Sequence, residues 1–331
     1  MIPAETEKEY RSIMLRVGAV MLLFLLLFNS LNYVFYLVDD LFSLFLDARD
    51  EEIVSSLLYA AVYLFSFLFP AAFFYMITKK QEKQRIFFEV KLGRAFPLML
   101  FASLAAIFTA AHLNSDMVGI FDFYEVFPYE VELDYNYQLV LEIISTAIVP
   151  AFCEEILFRG AILTNLLPYG KTTAVLGSAT LFALMHQNPA QLFYTFVAGV
   201  VLGLVYVYTR SIWGGVLIHF FNNLLGVTEA LLFERLDVEM ASKVGTVMKA
   251  VLFAAGIISA ILLFLRAGKK KSDFSESGFG RVFEADINYV EKPLEGRRAA
   301  RLFFAPTVIA FTCIVGIEMA AMLIAVITNM S

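Results

Sequence analysis

The stretch "AFCEEILFRG" (residues 151–160) sets two adjacent glutamates, Glu154 and Glu155, and one arginine, Arg159, inside an otherwise apolar run. "STAIVP" precedes it and "AILTNLLPYG" follows. Glu155 and Arg159 are four residues apart, so on a helix they share a face and can pair. Glu154 is rotated by about 100° from Glu155, so the two carboxylates point in different directions and one is left free. Two further polar stations lie in apolar surroundings: His186 in "LFALMHQNPA", and His219 with Asn223 in "GVLIHFFNNLLG". His219 and Asn223 are again four apart and present two hydrogen-bond donors to one spot. Phe182, one turn before His186, would wall the same space.

A carboxylate beside an imidazole can hold a water and deprotonate it. A His/Asn pair aimed at a developing negative charge resembles an oxyanion hole. Base, water and oxyanion donors are the parts that amide hydrolysis needs. The same groups are acceptable zinc ligands, although the chain has no His-Glu-x-x-His. Each station also has a plainer reading. The first can be an ion-paired knot between helices, although two acids and one base do not balance. His186 can be a satisfied core histidine. His219 with Asn223 can be an interhelical hydrogen-bond clamp, and the adjacent Asn222 could replace Asn223 if the register differs. Cys153 tempts toward a nucleophile beside His186, but a charged thiolate is costly in an apolar span, and a small packing residue is the better reading.

The elements that position these groups follow from composition. The 331 residues are 60% hydrophobic and 17% charged, with 34 Phe, where soluble domains carry about 25% charged residues. Several apolar runs approach or exceed the ~20 residues that cross a bilayer. The expected fold is all-α: a polytopic transmembrane bundle of eight or nine spans with a polar cavity among spans 4, 5 and 7. The candidate spans are 13–37, 53–77, 95–113, 138–166, 172–187, 190–209, 212–233, 244–266 and 302–328, the fifth being short. An acidic leader without a nearby small-residue cleavage site makes the first a retained span. The chain reads as one membrane domain over 1–331. Within it, 13–137 holds N-terminal spans and acidic outer loops, 138–233 is the core with the three motifs, and 234–331 is C-terminal spans around a cytoplasmic loop at 267–301.

Basic residues orient the bundle. With the N-terminus in the cytoplasm, only Arg49, Arg235, Lys243 and Lys249 of the 25 Lys and Arg fall outside. Counted from the cytoplasmic ends, Glu154 lies about 18 Å deep, His186 about 21 Å, His219 about 10 Å and Asn223 about 16 Å. Pro150 and Pro189 weaken the helices next to Glu154 and His186, as happens where backbone lines a protein-buried or watery cavity. The partitioned charge, net −6, points to anionic headgroups of the lipid bilayer and gives no sign of nucleic acid. Two cysteines, both in spans, offer neither a disulfide framework nor a zinc spacing. Glu318, deep in the last span, reads as a helix-packing hydrogen bond.

The motifs Glu-Glu-x-x-x-Arg ("EEILFR"), Phe-x-x-x-His ("FALMH") and His-x-x-x-Asn ("HFFNN") occur in order over about residues 150–225. In this the chain resembles the CPBP family, which joins CAAX prenyl proteases of the Ras-converting type to bacteriocin-processing (Abi) enzymes. The resemblance implies a glutamate-dependent intramembrane endopeptidase without cofactor or catalytic metal. It implies that Glu154 activates water, that His186 helps to orient it, and that His219 and Asn223 stabilise the oxyanion. Glu155 and Arg159 are given a supporting, ion-paired role. The partner expected is a membrane-associated peptide or lipidated protein, whether a prenylated protein, a peptide pheromone or a bacteriocin leader. The alternatives are a non-catalytic scaffold of the same family, a zinc-dependent variant, and an ion-coupled transporter, for which the chain lacks the paired halves.

Overall fold

The computed structural model describes residues 4–78, 85–90, 92–119, 136–269 and 296–329. The described residues are helical and contain no strand. In chain order the helices are α1 (Ala4–Phe42), α2 (Ala48–Ile77), α3 (Phe96–Gly119), the composite α4 (136–166), α5 (Lys171–Met185), α6 (Leu192–Thr209), α7 (Ile212–Arg235), α8 (Val238–Lys269), α9 (Gly296–Phe303) and α10 (Pro306–Asn329). The acidic outer loop expected at 114–137 and the cytoplasmic loop expected at 267–301 lie largely outside the described residues, and their described ends at 114–119, 267–269 and 296–301 are helical.

Seven helices (α1, α2, α3, α6, α7, α8 and α10) are long and apolar enough to cross a membrane, and the chain is a multi-pass integral membrane protein. The two remaining spans of the nine expected are helical but fall short of that measure, each for a physical reason. α5 has 15 residues, about 22 Å of rise, less than the hydrocarbon thickness. α4 carries Glu142, Glu154, Glu155 and Arg159 and is not one regular helix. It alternates α-helical Asn136–Glu142, Val149–Glu155 and Thr164–Leu166 with π-helical Ile143–Ile148 and Ile156–Leu163. The element that carries the Glu-Glu-x-x-x-Arg motif and the one that ends at His186 are therefore the two least suited to face lipid.

Packing agrees. α4 is enclosed by α2, α5 and α7, and α6 packs against α3, α5 and α7. Cys153, Leu157, Phe158, Ala161 and Ile162 of α4 have no exposed surface. α8 lies outside against α3, and α10 against α1. Only 11% of the α8 apolar window and 17% of the α10 window is buried, against 39% for α6, which leaves their apolar faces for lipid. Contacts also sort the connections into two ends. At one, Tyr10 packs edge-on against Tyr169 at 5.0 Å, and the Ile212 amide donates to the Phe87 carbonyl. At the other, the Tyr137 hydroxyl donates to Glu52, and the Asn114 amide donates to the Ala190 carbonyl.

Candidate active site

The site is built on the irregular helix α4. In an α-helix the Thr146 carbonyl would accept from the N–H of residue 150, but Pro150 has none. The amide of Asn223, on α7, donates to that carbonyl instead at 3.1 Å. The second π-helical segment is braced in the same manner. Ser178 of α5 donates to the Phe158 carbonyl at 2.9 Å, Tyr75 of α2 to Gly160 at 3.2 Å, and Thr164 to Arg159 at 2.7 Å. π-helical turns recur at functional sites. Here they hold the backbone around the Glu-Glu-x-x-x-Arg motif with partners from three other helices.

Within that frame Glu154, Glu155 and Arg159 are almost wholly buried, at 3%, 0% and 0% exposure. Arg159 donates to the Glu155 carboxylate at 2.7 Å and to the Gly199 carbonyl of α6 at 3.1 Å. Its guanidinium also lies over the Phe182 ring, 4.5 Å from the centroid. The intrahelical pair expected from spacing is present, but it is not closed. His219 Nδ1 stands 3.2 Å from the same Glu155 oxygen, which faces Nε2 toward Glu154 Oε2 at 3.9 Å. His219 thus sits between both carboxylates, and with Arg159 it supplies two basic groups against two acids.

Glu154 is held from the far side. The Tyr63 hydroxyl of α2 donates to its Oε1 at 2.5 Å, while its buried Oε2 has no hydrogen-bond partner among the described residues. Spacing within the motifs gives no sign of Tyr63, which lies 91 residues from Glu154. The one sequence signal is that Tyr59, Tyr63 and Phe67 recur every four residues, and their rings pack successively along α2 at 6.2 and 4.6 Å. One hydroxyl on that ladder reaches the site.

His186 closes α5. Its Nδ1 lies 2.8 Å from the Phe182 carbonyl, and its ring lies 5.0 Å from the Phe182 ring. Phe182 in turn meets His219 at 5.9 Å, so it separates the two imidazoles and walls the site, as its spacing suggested. The next residue, Gln187, adopts φ 53°, a left-handed conformation costly for a residue with Cβ, and thereby ends the helix at His186. Its side-chain oxygen accepts from Asn29 of α1, which also donates to Glu318 of α10. The hydrogen bond expected for Glu318 is therefore present. Asn223 differs from its expected aim: one N–H is committed to Thr146 and its oxygen accepts from Asn222. A side-chain amide has two N–H donors, so one remains. Among the described residues no group of three or more His, Cys, Asp or Glu side chains is placed to hold a metal ion.

Gly215 of α7 allows this closeness. A Cβ there would collide with Glu155 Oε2, an atom pinned through its carboxylate by Arg159 and His219. Gly215→Ala is accordingly expected to lower stability by about 1–3 kcal/mol, in the range of overpacking in a filled core. Thermal unfolding in detergent, compared with Gly226→Ala where nothing lies within 4 Å, measures it.

Fold and site together define a polytopic membrane protein with a buried Glu–Glu–His–Arg cluster where its irregular helix meets α2, α5 and α7. Residues 136–225, just over a quarter of the chain, match the family model described as Type II CAAX prenyl endopeptidase Rce1-like. The match makes this stretch, which holds all three motifs, similar to the CAAX protease family. No curated protein and no solved structure matches the chain.

Proposed function

We propose that this protein is an intramembrane endopeptidase that hydrolyses a peptide bond in a membrane-associated substrate by means of a glutamate-activated water. The observation that carries the reading is the state of Glu154: buried, fixed through one carboxylate oxygen by Tyr63, with the other oxygen unpartnered and facing His219. An oxygen left in that state inside apolar surroundings is costly unless something polar visits it. A water at about 2.8 Å from both Glu154 Oε2 and His219 Nε2 would see the two at an angle of about 90°, an acceptable geometry for two hydrogen bonds.

In this mechanism the water oxygen attacks the scissile carbonyl carbon and its proton passes to Glu154. Negative charge then develops on the carbonyl oxygen. His219, set against Glu155 through Nδ1, offers Nε2 to that oxyanion, and the free N–H of Asn223 is the second donor. Collapse of the tetrahedral intermediate breaks the C–N bond, and Glu154 returns its proton to the leaving amine. His186 orients the water or the substrate from the end of α5. Glu155 and Arg159 act by positioning, since Glu155 fixes the His219 ring. The N-terminus is placed in the cytoplasm, and substrates enter from that side or laterally from the bilayer. A CAAX-type prenylated C-terminus is the first substrate class to try.

The test is cleavage of a fluorogenic farnesylated CAAX peptide by purified protein in liposomes. Wild type, Glu154→Ala and His219→Ala are compared with and without a zinc chelator. Chelator-resistant cleavage lost in both variants upholds the mechanism, whereas chelator-sensitive cleavage replaces it with the zinc-dependent one. Tyr63→Phe supplies a finer check. Removing a hydrogen bond to a charged group is worth about 1.5–3 kcal/mol. We expect kcat to fall by roughly tenfold or more with little change in KM, because Tyr63 touches the base and not the substrate. Unchanged kcat would remove Tyr63 from the mechanism.

A further inference from the structure

At the end of the bundle where α1 starts and α10 begins, a cleft of about 500 Å³ lies between α1 and α9. Arg11 of α1 and Arg298 and Arg301 of α9 line it, with Glu7 as the one carboxylate among the described residues. Glu7 pairs with Arg298. Arg11 and Arg301 have neither an ion-pair nor a hydrogen-bond partner among the described residues. Three guanidiniums thus converge on a space to which the described residues contribute one countercharge. The grouping is not that of a loose segment. Ala299 and Phe303, on the opposite face of α9, are buried, and the Phe303 ring is so close to α5 that a Cβ on Gly177 would lie 2.9 Å from it. The Thr307 hydroxyl at the start of α10 donates to the Leu15 carbonyl of α1 at 2.8 Å. The fold therefore fixes where the cationic side chains start.

The other wall is apolar. Leu302, Phe304, Ala305 and Pro306 complete the lining, Phe304 is half exposed, and the apolar span of α10 begins at Pro306. The cleft accordingly stands at the boundary between the apolar belt and the polar end. Planar guanidiniums bind phosphate oxygens by paired hydrogen bonds, and convergence of several on one space repels unless an anion fills it. We infer that this cleft binds a phosphate-bearing group, either the headgroup of an anionic lipid or a soluble phosphate. The site is separate from the Glu154 cluster and independent of the proposed peptidase activity.

Native mass spectrometry of detergent-solubilised protein tests it, with phosphatidic acid, phosphatidylcholine and inorganic phosphate as probes. Wild type should retain phosphatidic acid or phosphate in preference to phosphatidylcholine. Arg11→Gln combined with Arg301→Gln should bind ~30-fold more weakly, from about 1 kcal/mol for each basic residue near a headgroup. Both residues are exposed; if the pair of changes impairs folding, Arg301→Gln alone should still weaken binding ~5-fold. Arg49→Gln combined with Arg266→Gln removes the same charge elsewhere and should leave binding intact. Retention of the lipid with no competition by phosphate assigns a headgroup site, and competition by phosphate alone assigns a soluble-anion site. Equal binding by wild type and the cleft variants, or an equal loss in the Arg49/Arg266 control, overturns the inference.

Discussion

Glu154→Gln should yield a folded protein that cleaves its peptide substrate ~10³-fold more slowly or worse. General-base catalysis contributes about 10²–10⁴-fold, and here the same group returns the proton to the leaving amine, so both halves of the reaction are lost. Fold should survive, for a physical reason. Glutamine keeps the shape of the side chain, its amide oxygen can still accept from the Tyr63 hydroxyl, and the contact of Glu154 with His219 is long at 3.9 Å, so no close ion pair is broken. The measurement is kcat by single turnover in liposomes alongside thermal unfolding. Lost cleavage at unchanged or higher melting temperature separates a chemical role from a structural one. If the glutamine variant cut as fast as wild type, Glu154 would be part of an ion-paired knot and the proposed mechanism would fall.

The second large effect concerns Glu155. Glu155→Ala leaves the guanidinium of Arg159 fully buried, without its carboxylate and with the Gly199 carbonyl and the Phe182 ring as its remaining partners among the described residues. Removing one member of a buried pair costs about 3–5 kcal/mol, so melting should fall by roughly 10 °C. The double change Glu155→Gln with Arg159→Met removes both charges and should recover most of that stability, since an uncharged, well-packed replacement of a buried pair is commonly neutral. Activity should not recover with it. His219 Nδ1 would then face an amide instead of a carboxylate, and the imidazole would lose the partner that fixes its ring. Recovery of both stability and cleavage would reduce Glu155 and Arg159 to packing. Recovery of stability alone would make Glu155 the positioning residue for His219.

Much of this was legible before any coordinates. The membrane class follows from 60% hydrophobic residues and repeated apolar runs, because bilayer thickness dictates run length directly. Pairs within one helix were also legible: Glu155 with Arg159, and Phe182 beside His186, follow from helical periodicity, which is local. The interruption near Glu154 could be anticipated from Pro150, whose missing N–H acts on its own helix.

What crosses between helices was decided by tertiary structure alone. Tyr63 reaches Glu154 over 91 positions of chain, and His219 reaches Glu155 over 64. No periodicity relates such residues, since contact depends on which helices neighbour each other and at what rotation and height. The same applies to Asn223, whose amide spacing alone aims at the reaction centre but which packing also sets against the Thr146 carbonyl. The sequence by itself determined a membrane bundle and the residue types available for hydrolysis. The packing of α2, α5 and α7 around α4 determined that His219 stands between two carboxylates and that one oxygen of Glu154 is left free.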